Sequence, residues 1–252
     1  MLLARDLYRA QYDFPRSDKQ PRTTLMIASV PRSGSTHFGI CLWNEGIFGA
    51  PLEYLNESTN PEIVDRLSNG KMDFHYWQEL RALRTTPNGV FSYKMFIANY
   101  MIFKREHPNL LPIVAADKVV YFTRGDRAAQ AVSYARAIQT KSWFAAVPNA
   151  NPPEYSFEAI RRQEQSIARQ EEVWERIFTL TETEPYRLQY EEFLREPDRI
   201  FSEIADYVGV EQCPTACLDM PNIDRQSDAL SAEWVARYRA ERDAAEVQGR
   251  AA

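Results

Sequence analysis

Leu25-Met26-Ile27-Ala28-Ser29-Val30-Pro31-Arg32-Ser33-Gly34-Ser35-Thr36 joins a short, unbroken apolar run to a polar turn built around a glycine. The run is too short for a helix and halts at Pro31, the pattern of a strand buried on both faces of a parallel sheet. Beyond the turn, Phe38, Ile40, Cys41 and Leu42 recur with helical spacing until Gly46. The reading is strand, tight loop, helix. Such a loop points backbone N–H groups at one spot, where the helix N-terminus adds positive potential. Ser33, Ser35 and Thr36 add hydroxyls and Arg32 adds charge, a set suited to a phosphate. The bland alternative is an ordinary Ser/Thr-rich helix cap. The nucleotide-hydrolysing loop ends in Gly-Lys-Ser/Thr. No lysine precedes the hydroxyls here, which counts against ATP or GTP hydrolysis.

Outward from this core, residues 1–22 are polar and mixed, with Pro15 and Pro21, and read as a loosely packed N-terminal arm. Residues 23–252 read as a single α/β domain. Further strands are expected at Val90–Lys94, Lys118–Thr123 and Tyr186–Tyr190. Asn60-Pro61-Glu62 starts a helix to about Ser68, with Asn as cap and Pro at the first helical position. Asp73 starts another through Leu83, and residues 99–107 read as helical. Asp126 caps a helix through Gln139, Ser156–Thr179 is a long amphipathic helix, Pro197–Val208 stops at Gly209, and the last helix runs from about Ser231 to Ala245. Strands alternating with helices argue a parallel sheet sandwiched by helices. Trp77, Trp174 and Trp234 read as core, and Trp143, beside a Pro-rich loop, as a candidate stacking residue.

The chain has 252 residues, of which 44% are hydrophobic and 26% charged, enough for a core and too apolar for wholesale disorder. Its net charge of −5 makes it a poor general nucleic-acid binder. Arginine dominates the basic set, which favours bidentate phosphate chemistry and equally reflects a GC-rich genome. Cys41, Cys213 and Cys217 are too few for a disulfide scaffold, and His37, His75 and His107 form no ligand pair, so no metal site is expected. No signal peptide or membrane span is legible, and the expectation is a cytoplasmic protein.

Two more constellations stand out. Arg124 ends the third strand and Ser133 lies in the helix that follows, at the sheet edge where ligands of open α/β sheets gather. An arginine fork with a hydroxyl suits a second phosphate. A surface Arg and a solvated Ser are the alternative. Asp224-Arg225-Gln226-Ser227 precedes the last helix, and Arg225 again suits an anion, or the segment is simply a polar loop.

Taken together, Pro31–Thr36, Thr123-Arg124-Gly125-Asp126 through Ser133-Tyr134 to Trp143, and Arg225-Gln226-Ser227-Asp228 with Glu233-Trp234-Val235 resemble the bacterial trehalose 2-sulfotransferase-like family. Glu53 in Gly49-Ala50-Pro51-Leu52-Glu53-Tyr54, and Pro87-Asn88-Gly89-Val90 leading to Lys94, match it too, so the resemblance spans about Leu25 to Arg239. It implies a P-loop-like fold and a sulfotransferase using 3′-phosphoadenosine-5′-phosphosulfate without a metal. It implies that the 31–36 loop holds the 5′-phosphosulfate, that Arg124 and Ser133 hold the 3′-phosphate, and that Arg225 and Gln226 close over the nucleotide. Arg32 would stabilise the leaving phosphate, Glu53 would be the general base, and Lys94 would be a further cation. A homodimer and a small hydroxylated acceptor are further implications. The stretch between Glu53 and Lys94 is shorter than in trehalose-modifying members and the arm is an extension, so the acceptor need not be trehalose. The alternatives are a P-loop kinase-like phosphotransferase or a catalytically idle nucleotide-binding protein.

Overall fold

The computed structural model describes residues 4–56, 60–143, 152–211 and 228–251. Four parallel strands, β1 (Thr23–Ser29), β2 (Val90–Phe96), β3 (Lys118–Thr123) and β4 (Tyr186–Gln189), form one sheet in the order β2-β1-β3-β4. The helices are α1 (Ser35–Asn44), α2 (Pro61–Ser68), α3 (Phe74–Arg84), α4 (Ile97–Glu106), α5 (Arg127–Thr140), α6 (Phe157–Leu180), α7 (Tyr190–Arg195), α8 (Pro197–Val208) and α9 (Ala229–Ala251). The expected parallel α/β architecture is the observed one.

Strand geometry explains why the apolar runs are unbroken. Successive side chains alternate faces. Leu25, Ile27, Val120, Phe122 and Leu188 join Phe38 and Leu42 of α1, Phe193 of α7 and Ile200 and Ile204 of α8. Ala28, Met95, Val119 and Tyr121 join Trp77, Ala131, Ile167, Trp174 and Trp234 on the other face. Both faces are covered, so both must be apolar. Of the tryptophans considered for stacking, Trp143 is 40% exposed, while Trp77, Trp174 and Trp234 are buried.

Several local readings change. Residues 4–12 form two short 3₁₀ turns, and Leu7, Tyr8 and Phe14 are buried in the core rather than loosely packed. The cause is polar. The fully buried Arg84 donates to the carbonyls of Leu7 (3.1 Å) and Arg9 (3.3 Å) and pairs with Asp13 at 2.9 Å. Arg66 holds Asp13 from the other side at 2.6 Å. Asn60 sits at the cap position of α2, yet makes no capping bond to the helix; its amide donates to the Glu53 carbonyl at 2.9 Å. Asp73, Asp126 and Ser156 do cap α3, α5 and α6. Strand β4 stops at Gln189, one residue before the expected Tyr190, which instead opens the short helix α7, an element the sequence does not announce.

Candidate active site at the carboxyl edge of the sheet

β1 and its neighbours deliver their C-terminal ends to one edge. The turn between β1 and α1 reverses there in a conformation few residues accept, with φ 67° at Arg32 and 94° at Gly34. A Cβ on Gly34 would lie 2.5 Å from the Tyr190 ring, so backbone and crowding both demand glycine. The turn is pinned from beneath. Ser29 donates to the Phe122 carbonyl at 2.9 Å and lies 2.7 Å from the Ser33 hydroxyl. Trp174 Nε1 donates to the Ser29 carbonyl, and the buried Gln130 amide to the Pro31 carbonyl, each at 2.9 Å. Ser33 is thus turned inward as a strut. Ser35 is buried at the first position of α1 and Thr36 follows it. The opening N–H groups of a helix have no intrahelical acceptors, so those of α1 face this edge as donors.

On the β3 side lies a group of arginines. Arg32 Nε donates to Ser133 Oγ at 2.9 Å, and its Nη1 to the Trp143 carbonyl at 2.5 Å. Arg124 Nη1 reaches the Arg32 carbonyl at 3.4 Å, and its guanidinium lies over the Tyr190 ring. Burial pulls the Arg32 guanidinium down to about 10, with repulsion from Arg124 and Arg136 adding to it. Arg136, one turn beyond Ser133 on α5, is answered by a bidentate pair with Asp228 at 2.6 and 2.9 Å. Arg124 is not so well answered. Its Nε is buried with no hydrogen-bond partner among the described residues, and the Glu191 carboxylate stands 3.9 Å away. Glu191 instead accepts the N–H groups of Gly125 and Asp126 at 2.8 and 3.1 Å.

On the β2 side the chain after Gly49 runs along the strand. A Cβ on Gly49 would clash with Ser92, and just beyond this close approach Leu52 bridges to Tyr93 and accepts the Lys94 N–H at 2.8 Å. Glu53 is thereby set beside Lys94. The ammonium of Lys94, 2% exposed, lies 2.9 Å from Glu53 Oε1 and donates to Thr36 Oγ1 at 2.6 Å. Asn56 Nδ2 reaches Glu53 Oε2 at 3.4 Å.

The structure therefore brings Arg32, Arg124 and Ser133 together on one side of the turn, and Thr36, Lys94 and Glu53 on the other. Arg32 reaches toward Ser133, not toward Thr36. Arg225 and Gln226 lie outside the described residues. Sequence reasoning missed Ser29, Gln130 and Arg136; a lone serine in an apolar strand and a buried glutamine one turn after a cap were the signals available.

The sequence model of the Stf0 sulphotransferase family matches residues 24–241. The trehalose 2-sulfotransferase of Mycolicibacterium smegmatis is 29% identical over 262 residues, covering 88% of this chain and 97% of the relative. That of Mycobacterium tuberculosis is 26% identical over 255 residues, covering 86% and 94%. A solved sulfotransferase domain from the Synechococcus PCC 7002 olefin synthase superposes with a TM-score of 0.44 at 17% identity over 90% of each chain.

Proposed function

The chain belongs to the Stf0 sulphotransferase family, and we propose that it transfers a sulfuryl group from 3′-phosphoadenosine-5′-phosphosulfate to a hydroxyl of a small polar acceptor such as a sugar. The observation that supports the donor is the Nε of Arg124, buried beside Arg32 and Ser133 with no hydrogen-bond partner among the described residues and the Glu191 carboxylate 3.9 Å away. A buried donor on a cation, beside a second guanidinium that itself feels the repulsion of Arg136, fits an anion. That group of residues holds the 3′-phosphate. The opening amides of α1 with Thr36 and Lys94 hold the 5′-phosphosulfate.

The donor supplies an activated sulfuryl group on a phosphate leaving group. The acceptor oxygen forms a bond to sulfur while the bond from sulfur to the bridging phosphate oxygen breaks, so positioning and charge stabilisation dominate, as in phosphoryl transfer. Glu53 takes the proton of the attacking hydroxyl. Lys94 holds that carboxylate in place and, through its hydrogen bond to Thr36, sets it beside the turn. Negative charge grows on the departing phosphate oxygen, where Lys94 and the α1 amides meet it. The relatives named as trehalose 2-sulfotransferases put trehalose first among acceptors to try.

The test is product analysis by mass spectrometry, with the sulfuryl donor and a panel of sugars and polyols that includes trehalose. Formation of a sulfated acceptor together with 3′-phosphoadenosine 5′-phosphate is expected. Donor left intact with every acceptor, or a phosphorylated product from ATP, contradicts the reading.

A further inference from the structure

Residues 1–23 lie upstream of the region that matches the family. Within them, Tyr8 is buried, 8% exposed, and its ring meets that of Tyr54 edge-on at 5.9 Å. Its hydroxyl oxygen accepts the main-chain N–H of Glu53 at 3.2 Å. The segment is held rigidly there: Arg66 donates to the Tyr8 carbonyl at 3.2 Å, and Arg84 to that of Leu7. Among the described residues the Tyr8 hydroxyl accepts that one hydrogen bond and donates none. Buried polar groups are nearly always satisfied, so an O–H with no acceptor among the described residues, beside Glu53, points to an oxygen that arrives with a ligand. Burial, with the charge of Glu53 adding to it, holds the phenol well above its usual range, so it stays a donor at neutral pH.

We propose that Tyr8 is an acceptor-binding residue contributed by the N-terminal segment, its phenolic proton taken by a second oxygen of a polyhydroxylated acceptor whose reacting hydroxyl faces Glu53. This rests on the functional reading above. It selects sugars and polyols over simple alcohols, because a site built to hydrogen-bond an oxygen discriminates strongly against a ligand that lacks one.

Tyr8→Phe keeps the ring and its contact with Tyr54 and removes only the hydroxyl. The experiment compares wild type and Tyr8→Phe with trehalose, or the best sugar of the panel, and with 1-butanol, at saturating donor. The kcat/KM for the sugar is expected to fall roughly 10- to 100-fold, and selectivity over 1-butanol to fall with it. Calorimetric affinity for 3′-phosphoadenosine 5′-phosphate should stay near wild type, and the melting temperature should fall only by the few degrees that losing the Glu53 N–H acceptor costs. An unchanged sugar kcat/KM, an equal fall on both acceptors, or a loss of nucleotide binding overturns the role of Tyr8 and leaves the sulfotransferase reading standing. A wild type that sulfates neither acceptor overturns that reading, and the proposal with it.

Discussion

A lysine in the middle of an apolar strand is expensive to bury unless its charge is met, and Lys94 is met twice, by Glu53 and by Thr36. That pairing fixes the carboxylate at the head of α1, and it gives Glu53 a testable assignment. Glu53→Gln keeps size and hydrogen bonding and removes the proton acceptor. It is expected to lower kcat by at least ~10²-fold. Affinity for 3′-phosphoadenosine 5′-phosphate should hardly change, because base catalysis acts in the transition state. Turnover near the wild-type rate on an acceptor the wild type uses well would remove Glu53 from the mechanism. At this scale the sequence was informative about residue types and less so about directions. Ser33 reads as an anion ligand, but its hydroxyl is spent on Ser29. Arg32 reads as a group over the leaving phosphate, but the positive φ at that position swings it to Ser133. A positive φ at one and a buried serine partner at the other decide these directions, and composition encodes neither.

Among the elements, β1, β3 and α5 are nearly as the sequence predicts, since continuous apolar runs and Asp126 at a helix start are strong local signals. The packing of residues 4–14 was not legible. Its anchors are Arg66 and Arg84, which lie far along the chain and satisfy backbone carbonyls that no periodicity marks. The start of α9 is held the same way. Asp228 accepts the N–H of Ser231 at 2.8 Å and pairs with Arg136 of α5, whose guanidinium lies over Trp234. The Arg136 hydrogen bonds hold the Asp228 carboxyl far below the usual carboxylate range. A depressed carboxylate contributes stability that is complete above its unfolded value, about 3.9, and lost as pH falls toward the folded one. The side chain is 52% exposed, so screening limits the effect to ~1 kcal/mol or less. Asp228→Asn keeps the cap. It should lower the melting temperature at pH 7 by about 2–4 °C at most. The gap should narrow steadily as pH is lowered below ~4. A gap independent of pH would mean that the ion pair contributes nothing.

Across the whole molecule, a sheet of order β2-β1-β3-β4 sets the ends of its two inner strands side by side. The β1–α1 turn and Arg124 at the end of β3 are thereby brought together, linked by Arg32, and in the proposed function they are the two halves of one anion site. Family membership names the chemistry; under the proposed function, this arrangement would select the nucleotide. 3′-Phosphoadenosine 5′-phosphate places a phosphate in each half, whereas ADP carries both phosphates on one end. Charge-assisted hydrogen bonds contribute roughly 1.5–3 kcal/mol each. Leaving the Arg124 half empty should therefore weaken binding at least ~10-fold. Titration calorimetry of the two nucleotides against the wild-type protein measures this directly. Binding of 3′-phosphoadenosine 5′-phosphate at least ~10-fold tighter than ADP is the predicted result, and equal affinity, or tighter binding of ADP, would contradict it.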